Sequence, residues 1–167
     1  MDDVLAKVVD GSFDAQTYAK EKAEREALER KLMGWYREYF TKVQSGAPIE
    51  ETRPIAEKLI EAGHPEALNA LAWEILSNRN QSSRDLEIAM KAAEKANTQT
   101  NGENPMVLDT CALALFENGK VEEAVAAQEK AIALAAGNER MAADMKTRLD
   151  QFKAALAPAE EATTSTK

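Results

Sequence analysis

The chain has 167 residues, of which 44% are hydrophobic, 30% charged and 5% aromatic, a composition of folded globular chains rather than disordered ones. Its 21 Lys and Arg stand against 29 Asp and Glu, a net charge of -8, which repels phosphate backbones and anionic membranes and makes nucleic acid an unexpected partner. A single cysteine, Cys111, and a single histidine, His64, exclude an internal disulfide, a Cys-x-x-Cys pair and a His-rich metal cage.

No apolar run approaches the roughly 20 residues that cross a bilayer, and the N-terminus lacks the basic and apolar regions of a signal peptide. Breaks at Gly11, Gly46-Ala47-Pro48, Gly63-His64-Pro65, Asn101-Gly102, Asn104-Pro105, Gly119 and Gly137 divide the chain into pieces of helical length. Between them apolar residues recur at steps of three and four, and no stretch alternates, so the expected class is all-α. The spacing predicts helices over about 3–10, 15–44, 50–62, 66–77, 84–97, 105–117, 121–135 and 139–155.

The first piece, Val4-Leu5-x2-Val8-Val9, reads as an amphipathic cap helix. Residues 15–44 make an unusual helix. Tyr18 to Ala27 is almost wholly charged, while Leu28, Leu32, Trp35, Tyr36, Tyr39, Phe40 and Val43 form an apolar stripe. Glu21–Arg25, Lys22–Glu26 and Glu26–Arg30 are four apart and opposite in sign, each pair worth ~0.3 kcal/mol on an exposed helix. The charged half reads as a solvated extension or as a strut to another domain or chain, and the Leu28–Val43 stripe is a candidate for self-association.

Three later starts have a mechanism. Asn104 can accept from orphan backbone donors while Pro105 takes the first helical position, and Gly63-His64-Pro65 has the same form. Ser82-x-x-Asp85 has the spacing of a capping box. Past Pro158 there is no large apolar residue, so 158–167 is expected to be a disordered tail.

Self-comparison finds a duplication. Pro65-x2-Leu68-x2-Leu71-Ala72-x2-Ile75 realigns 40 residues later, from 65 to 105, as Pro105-x2-Leu108-x2-Cys111-Ala112-x2-Leu115. Ala89 with Ala96 realigns 35 later, from 89 to 124, with Ala124 and Ala131. Small residues at these places let two antiparallel helices approach closely.

These residues resemble the tetratricopeptide repeat, a helix–turn–helix unit of about 34 residues that stacks into a right-handed superhelix with a concave inner face. Leu108, Cys111-Ala112 and Leu115 take its first-helix places, and Gly119 to Ala124 followed by Ala131 takes its turn and second helix. The copy departs where Gln128 stands for an aromatic and Ala136 for proline; the earlier copy has Ala93 and Asn101 there. The resemblance implies a domain over 15–157, with repeats at 66–97 and 105–138, a degenerate pair upstream and a capping helix at 139–155. It also implies that first helices line the concave face, which places Asn69, Trp73, Leu76, Met106, Asp109, Leu113 and Phe116 in a peptide groove. Trp73 and Phe116 read either as binding anchors or as packing between helices.

The opening residues, Val4-Leu5-x2-Val8-Val9 followed by Gly11-Ser12-Phe13-Asp14, also look like the closing helix and exit turn of bacterial thioredoxin-like, thiol-disulfide oxidoreductase domains. That likeness implies that the chain is the C-terminal part of a longer protein of the periplasm or envelope, its redox centre upstream of Met1. Without it a cytoplasmic chain is expected.

Candidate chemistry is sparse. Cys111 holds a core position with no basic residue within a helical turn to lower its pKa, so it is expected to be buried and inert. His64 serves as a cap or surface residue, and no oriented nucleophile accompanies it. Glu50-Glu51 and Glu122-Glu123 sit at helix starts, where the dipole favours acids. No catalytic constellation, metal site or cofactor loop emerges. The expected function is a non-catalytic scaffold that binds a protein or peptide. The alternative is a helical appendage of a thiol-disulfide enzyme that positions substrate or mediates oligomerisation.

Overall fold

The computed structural model describes residues 14–78 and 84–156, and the described chain is helical without strands. Seven helices follow one another: α1 Ala15–Gln44, α2 Ile49–Ala62, α3 Pro65–Ser77, α4 Leu86–Gln99, α5 Pro105–Glu117, α6 Val121–Leu134 and α7 Glu139–Leu156. The expected helix at 3–10, the exit turn through Phe13 and the tail at 158–167 lie outside the described residues.

Local chemistry sets the boundaries. Asn104 accepts from the backbone N–H of Met106 and Val107, His64 Nδ1 accepts from Ala67, and proline follows each cap at the first helical position. Asn138 caps α7 by accepting from Met141. The start furthest from expectation is that of α4. Helix α4 opens at Leu86 rather than 84 because Asp85 is itself the cap, its Oδ1 accepting from Ile88 N at 3.1 Å. Three connections turn through the left-handed region at Gly46, Gly102 and Gly119, where a Cβ would be strained. Gly63 is constrained differently: a Cβ there would sit 2.5 Å from the Leu59 carbonyl oxygen and 2.9 Å from Leu68 Cδ2.

Neighbours in sequence pack on one another as α1–α2, α3–α4, α5–α6 and α6–α7, and the pairs join through α2–α4, α3–α5 and α4–α5. Apart from the opening prolines, every position of the duplicated pattern is buried: Leu68, Leu71, Ala72 and Ile75 in α3, Leu108, Cys111, Ala112 and Leu115 in α5, and Ala89, Ala96, Ala124 and Ala131 on the helices that follow. The alanines are fully covered, so helix backbones meet closely there while leucine and isoleucine fill the flanks.

Polar side chains tie the pairs end to end. Lys95 Nζ donates to the Ile60 and Glu61 carbonyls at the end of α2, at 2.6 and 2.8 Å. Arg84 donates to the Leu76 carbonyl and pairs with Glu117 at 2.8 Å. These bonds satisfy carbonyls that helix ends leave without partners.

The stripe on α1 divides at Leu32. From there to Val43 its residues are spent inside this chain: Leu32 and Tyr39 are 4% and 2% exposed, and Trp35, Tyr36, Phe40 and Val43 pack against the same core. Only Leu28, at its start, stays open at 39%. Self-association through the whole stripe would require opening that core.

Candidate functional site

A cavity of about 570 Å³ lies between α3, α5 and α7. Four of the seven expected groove residues line it: Asn69 and Trp73 from α3, and Met106 and Asp109 from α5. Position 69 is level with 109, and 73 follows one turn on, so parallel faces of the two helices form two walls. The other three lie elsewhere. Leu76 and Leu113 are 1% and 9% exposed within the core. Phe116 is half-buried, its ring stacked on Phe152 of α7 with centroids 4.5 Å apart and planes at 20°.

The C-terminal helix therefore does more than close the end of the stack. It supplies the third wall, through Arg140, Met141, Asp144, Met145 and Arg148, none of which the sequence had marked for the site. Met145 is buried, and Met141 packs beside it while also facing the cavity.

Arg148 organises the polar part. Its guanidinium pairs with Asp109 Oδ2 and lies 5.1 Å from the centre of the Trp73 ring, a distance at which the positive charge is attracted to the indole face. Asp109 Oδ1 accepts from Gln128 Nε2 at 2.6 Å, and the same amide nitrogen donates to the Met145 carbonyl at 3.1 Å. Gln128 is thus a fully buried link joining α5, α6 and α7. Asp109 and Arg148 neutralise one another, which leaves Trp73 and Met106 as open apolar surface, 36% and 56% exposed.

Asn69 stands apart from this network. Its Oδ1 is buried without a hydrogen-bond partner, an arrangement that costs stability unless a reorientation or a ligand satisfies it. The Thr110 hydroxyl donates to the Met106 carbonyl at 3.1 Å and so is held by its own helix. Among the described residues no group of three or more His, Cys, Asp and Glu could hold a metal ion, and no helix is long and apolar enough to cross a membrane. His64 lies outside the cavity, at the start of α3.

Cys111 is buried in α5, and burial, aided by the charge of Glu94, pushes its thiol up to about 11. Burial likewise raises the Tyr39 hydroxyl to about 12, with Asp85 adding to the shift. Both groups keep their protons in the folded state where the unfolded chain, with ordinary values of 9.0 and 10.0, releases them. Their contribution to stability is full below pH 9 and is lost as pH rises through 11 to 12. The urea midpoint is therefore expected to decline steadily above pH 9. The native thiol should also resist a maleimide at neutral pH until denaturant is added. A flat alkaline profile together with rapid native labelling would show that Cys111 is open to solvent.

Compared with family models, curated proteins and solved structures, the chain finds no match.

Proposed function

We propose that the chain is a non-catalytic scaffold of tetratricopeptide type that holds a segment of another protein in the cavity between α3, α5 and α7. The observation that carries this reading is the cavity's make-up. Two bulky apolar side chains, Trp73 and Met106, are left open beside a charge pair that is already satisfied. Exposed aromatics anchored by their surroundings are the residues that dominate binding energies, and Arg148 holds the Trp73 ring in place. The unpartnered Asn69 amide adds a polar group with bonding capacity to spare. Support for the repeat architecture comes from the 40-residue duplication, from burial of its equivalent positions and from the packing of α3 on α5. The lining pairs no nucleophile with a base, which favours binding over catalysis.

The test is selection of peptides from a displayed library on the whole chain, followed by titration of the winners. Trp73→Ala is expected to weaken them by about 30-fold, the loss typical of a central aromatic anchor, with helicity by circular dichroism unchanged because Trp73 is a surface residue. Peptides that bind Trp73→Ala and Met106→Ala as tightly as the parent would place the binding surface elsewhere and end the proposal.

A further inference from the structure

The two cavity walls that carry Trp73 and Met106 are one-sided in charge. Helices α3 and α5 hold four acidic residues, Glu66, Glu74, Asp109 and Glu117, and no lysine or arginine. Two of the four are answered from elsewhere: Asp109 by Arg148 of α7, and Glu117 by Arg84, just ahead of α4. The two on α3 are not. Glu66 and Glu74 are exposed and form no ion pair with a lysine or arginine among the described residues.

Spacing sets both at the cavity's edge. Ala70 lines the cavity, and Glu66 and Glu74 lie one turn before and one turn after it, on the same strip of α3. Their backbones are about 12 Å apart along the axis. On the third wall Asp144 of α7 lines the cavity, is exposed and has no basic partner among the described residues either. The lining holds two cations. Arg148 is spent on Asp109, which leaves Arg140 alone. Three carboxylates against one guanidinium give the rim a surplus of two negative charges around an apolar middle.

An occupant has to answer both parts. Trp73 and Met106 take a bulky apolar side chain, and the surplus carboxylates take cations on either side of it. The chain's own segments outside the described residues lack that make-up. Residues 1–13 carry Asp2, Asp3 and Asp10 against Lys7, while residues 157–167 carry Glu160 and Glu161 against Lys167 and have no large apolar side chain. A second copy brings the same net charge of -8, which opposes its approach.

We infer that the occupant is a basic segment of another protein, in which a bulky apolar residue stands between lysines or arginines. The inference rests on the cavity being a binding site and adds which segments enter it. The apolar residue fills the space beside Trp73 and Met106, and its flanking cations meet Glu66, Glu74 and Asp144. These charge contacts lie on solvent, so they select the partner and speed its arrival, and salt screens them.

Peptides selected from a displayed random library on the full chain test the inference. Winners that depend on Trp73 are expected to carry lysine or arginine on both sides of a bulky apolar residue, about four positions apart, since four extended residues span the distance from Glu66 to Glu74. The rim variant Glu66→Gln/Glu74→Gln/Asp144→Asn should bind a synthetic winner about 10-fold more weakly, through loss of three exposed contacts. It should also lose most of the parent's sensitivity to sodium chloride. The control Glu57→Gln/Glu122→Gln/Glu123→Gln removes the same charge from α2 and α6, which supply no wall, and should change binding by less than about 2-fold. All six positions are exposed, so circular dichroism should not move. Trp73-dependent winners without flanking cations, or a rim variant that binds like the parent, overturn the inference and leave the binding cavity standing. An equal loss in the control does the same, because it assigns the effect to net charge. If no winner depends on Trp73, the cavity reading falls and this inference with it.

Discussion

Phe152→Ala is expected to lower the unfolding free energy by roughly 3–5 kcal/mol, the range for truncating a fully buried aromatic. The ring is 1% exposed and is among the largest wholly covered side chains. It stacks on Phe116, so its removal strips a neighbour as well as opening a void. What else holds α7 is limited. Met145 is buried near the middle of the helix with Met141 packed beside it, Gln128 donates to the Met145 carbonyl, Arg148 pairs with Asp109, and Lys153 meets Glu129 at 2.7 Å with both side chains half exposed. That last pair is worth little in water. Loss of Phe152 therefore acts first on α7, and with α7 goes the third wall of the cavity and the cation beside Trp73. Urea unfolding should show a lower midpoint. Quenching of tryptophan by acrylamide should rise before the main transition, as the indole loses its cover. A loss below about 1 kcal/mol with unaltered quenching would mean that α7 is held by something other than this ring.

The helices were readable in advance because their signals are local. Asn104-Pro105 and His64-Pro65 each place an acceptor and a proline at adjacent positions, and the outcome depends on nothing more than a turn of chain. The start of α4 was placed two residues early because Ser82-x-x-Asp85 carries two oxygen acceptors, and Asp85 also answers to Arg53, 32 positions away. The site was half legible for a related reason. The repeat resemblance implies inward faces for Asn69, Trp73, Met106 and Asp109, but it gives an angle around the helix and not a depth within the fold. Leu76, Leu113 and Phe116 share those faces, and their neighbours cover them. Arg148 lies 39 positions from Asp109, and no local pattern announces that it will reach across to Trp73. The glutamine at 128 was visible as a departure from the repeat pattern, and its meaning appeared only with Asp109 and the Met145 carbonyl beside it.

Asp85→Ala should cost about 2–3 kcal/mol, from two losses that can be separated. The carboxylate is 4% exposed and performs two tasks. Its Oδ1 accepts from Ile88 N at 3.1 Å, capping α4, and both oxygens accept from Arg53, at 3.0 Å each, in the forked geometry that guanidinium and carboxylate share. Loss of the cap accounts for about 1 kcal/mol. The remainder comes from the broken pair, and it stays below the 3–5 kcal/mol typical of a fully buried one because Arg53 is a third exposed and keeps Glu87 at 2.8 Å. Asp85→Asn separates the two, since an amide oxygen can still cap α4 while the charge is gone. It is expected to recover about 1 kcal/mol relative to alanine. Arg53 lies on α2 and Asp85 opens α4, so this contact fixes how the first helical pair meets the second. The alanine variant should therefore loosen α1 and α2 before the remainder, with amide exchange rising at Ile55 and Leu59 while Leu108 and Ala112 stay protected. Equal losses for alanine and asparagine would show that the cap contributes nothing, and uniform exchange across all four residues would show that the chain unfolds as one unit with no weak joint at Asp85.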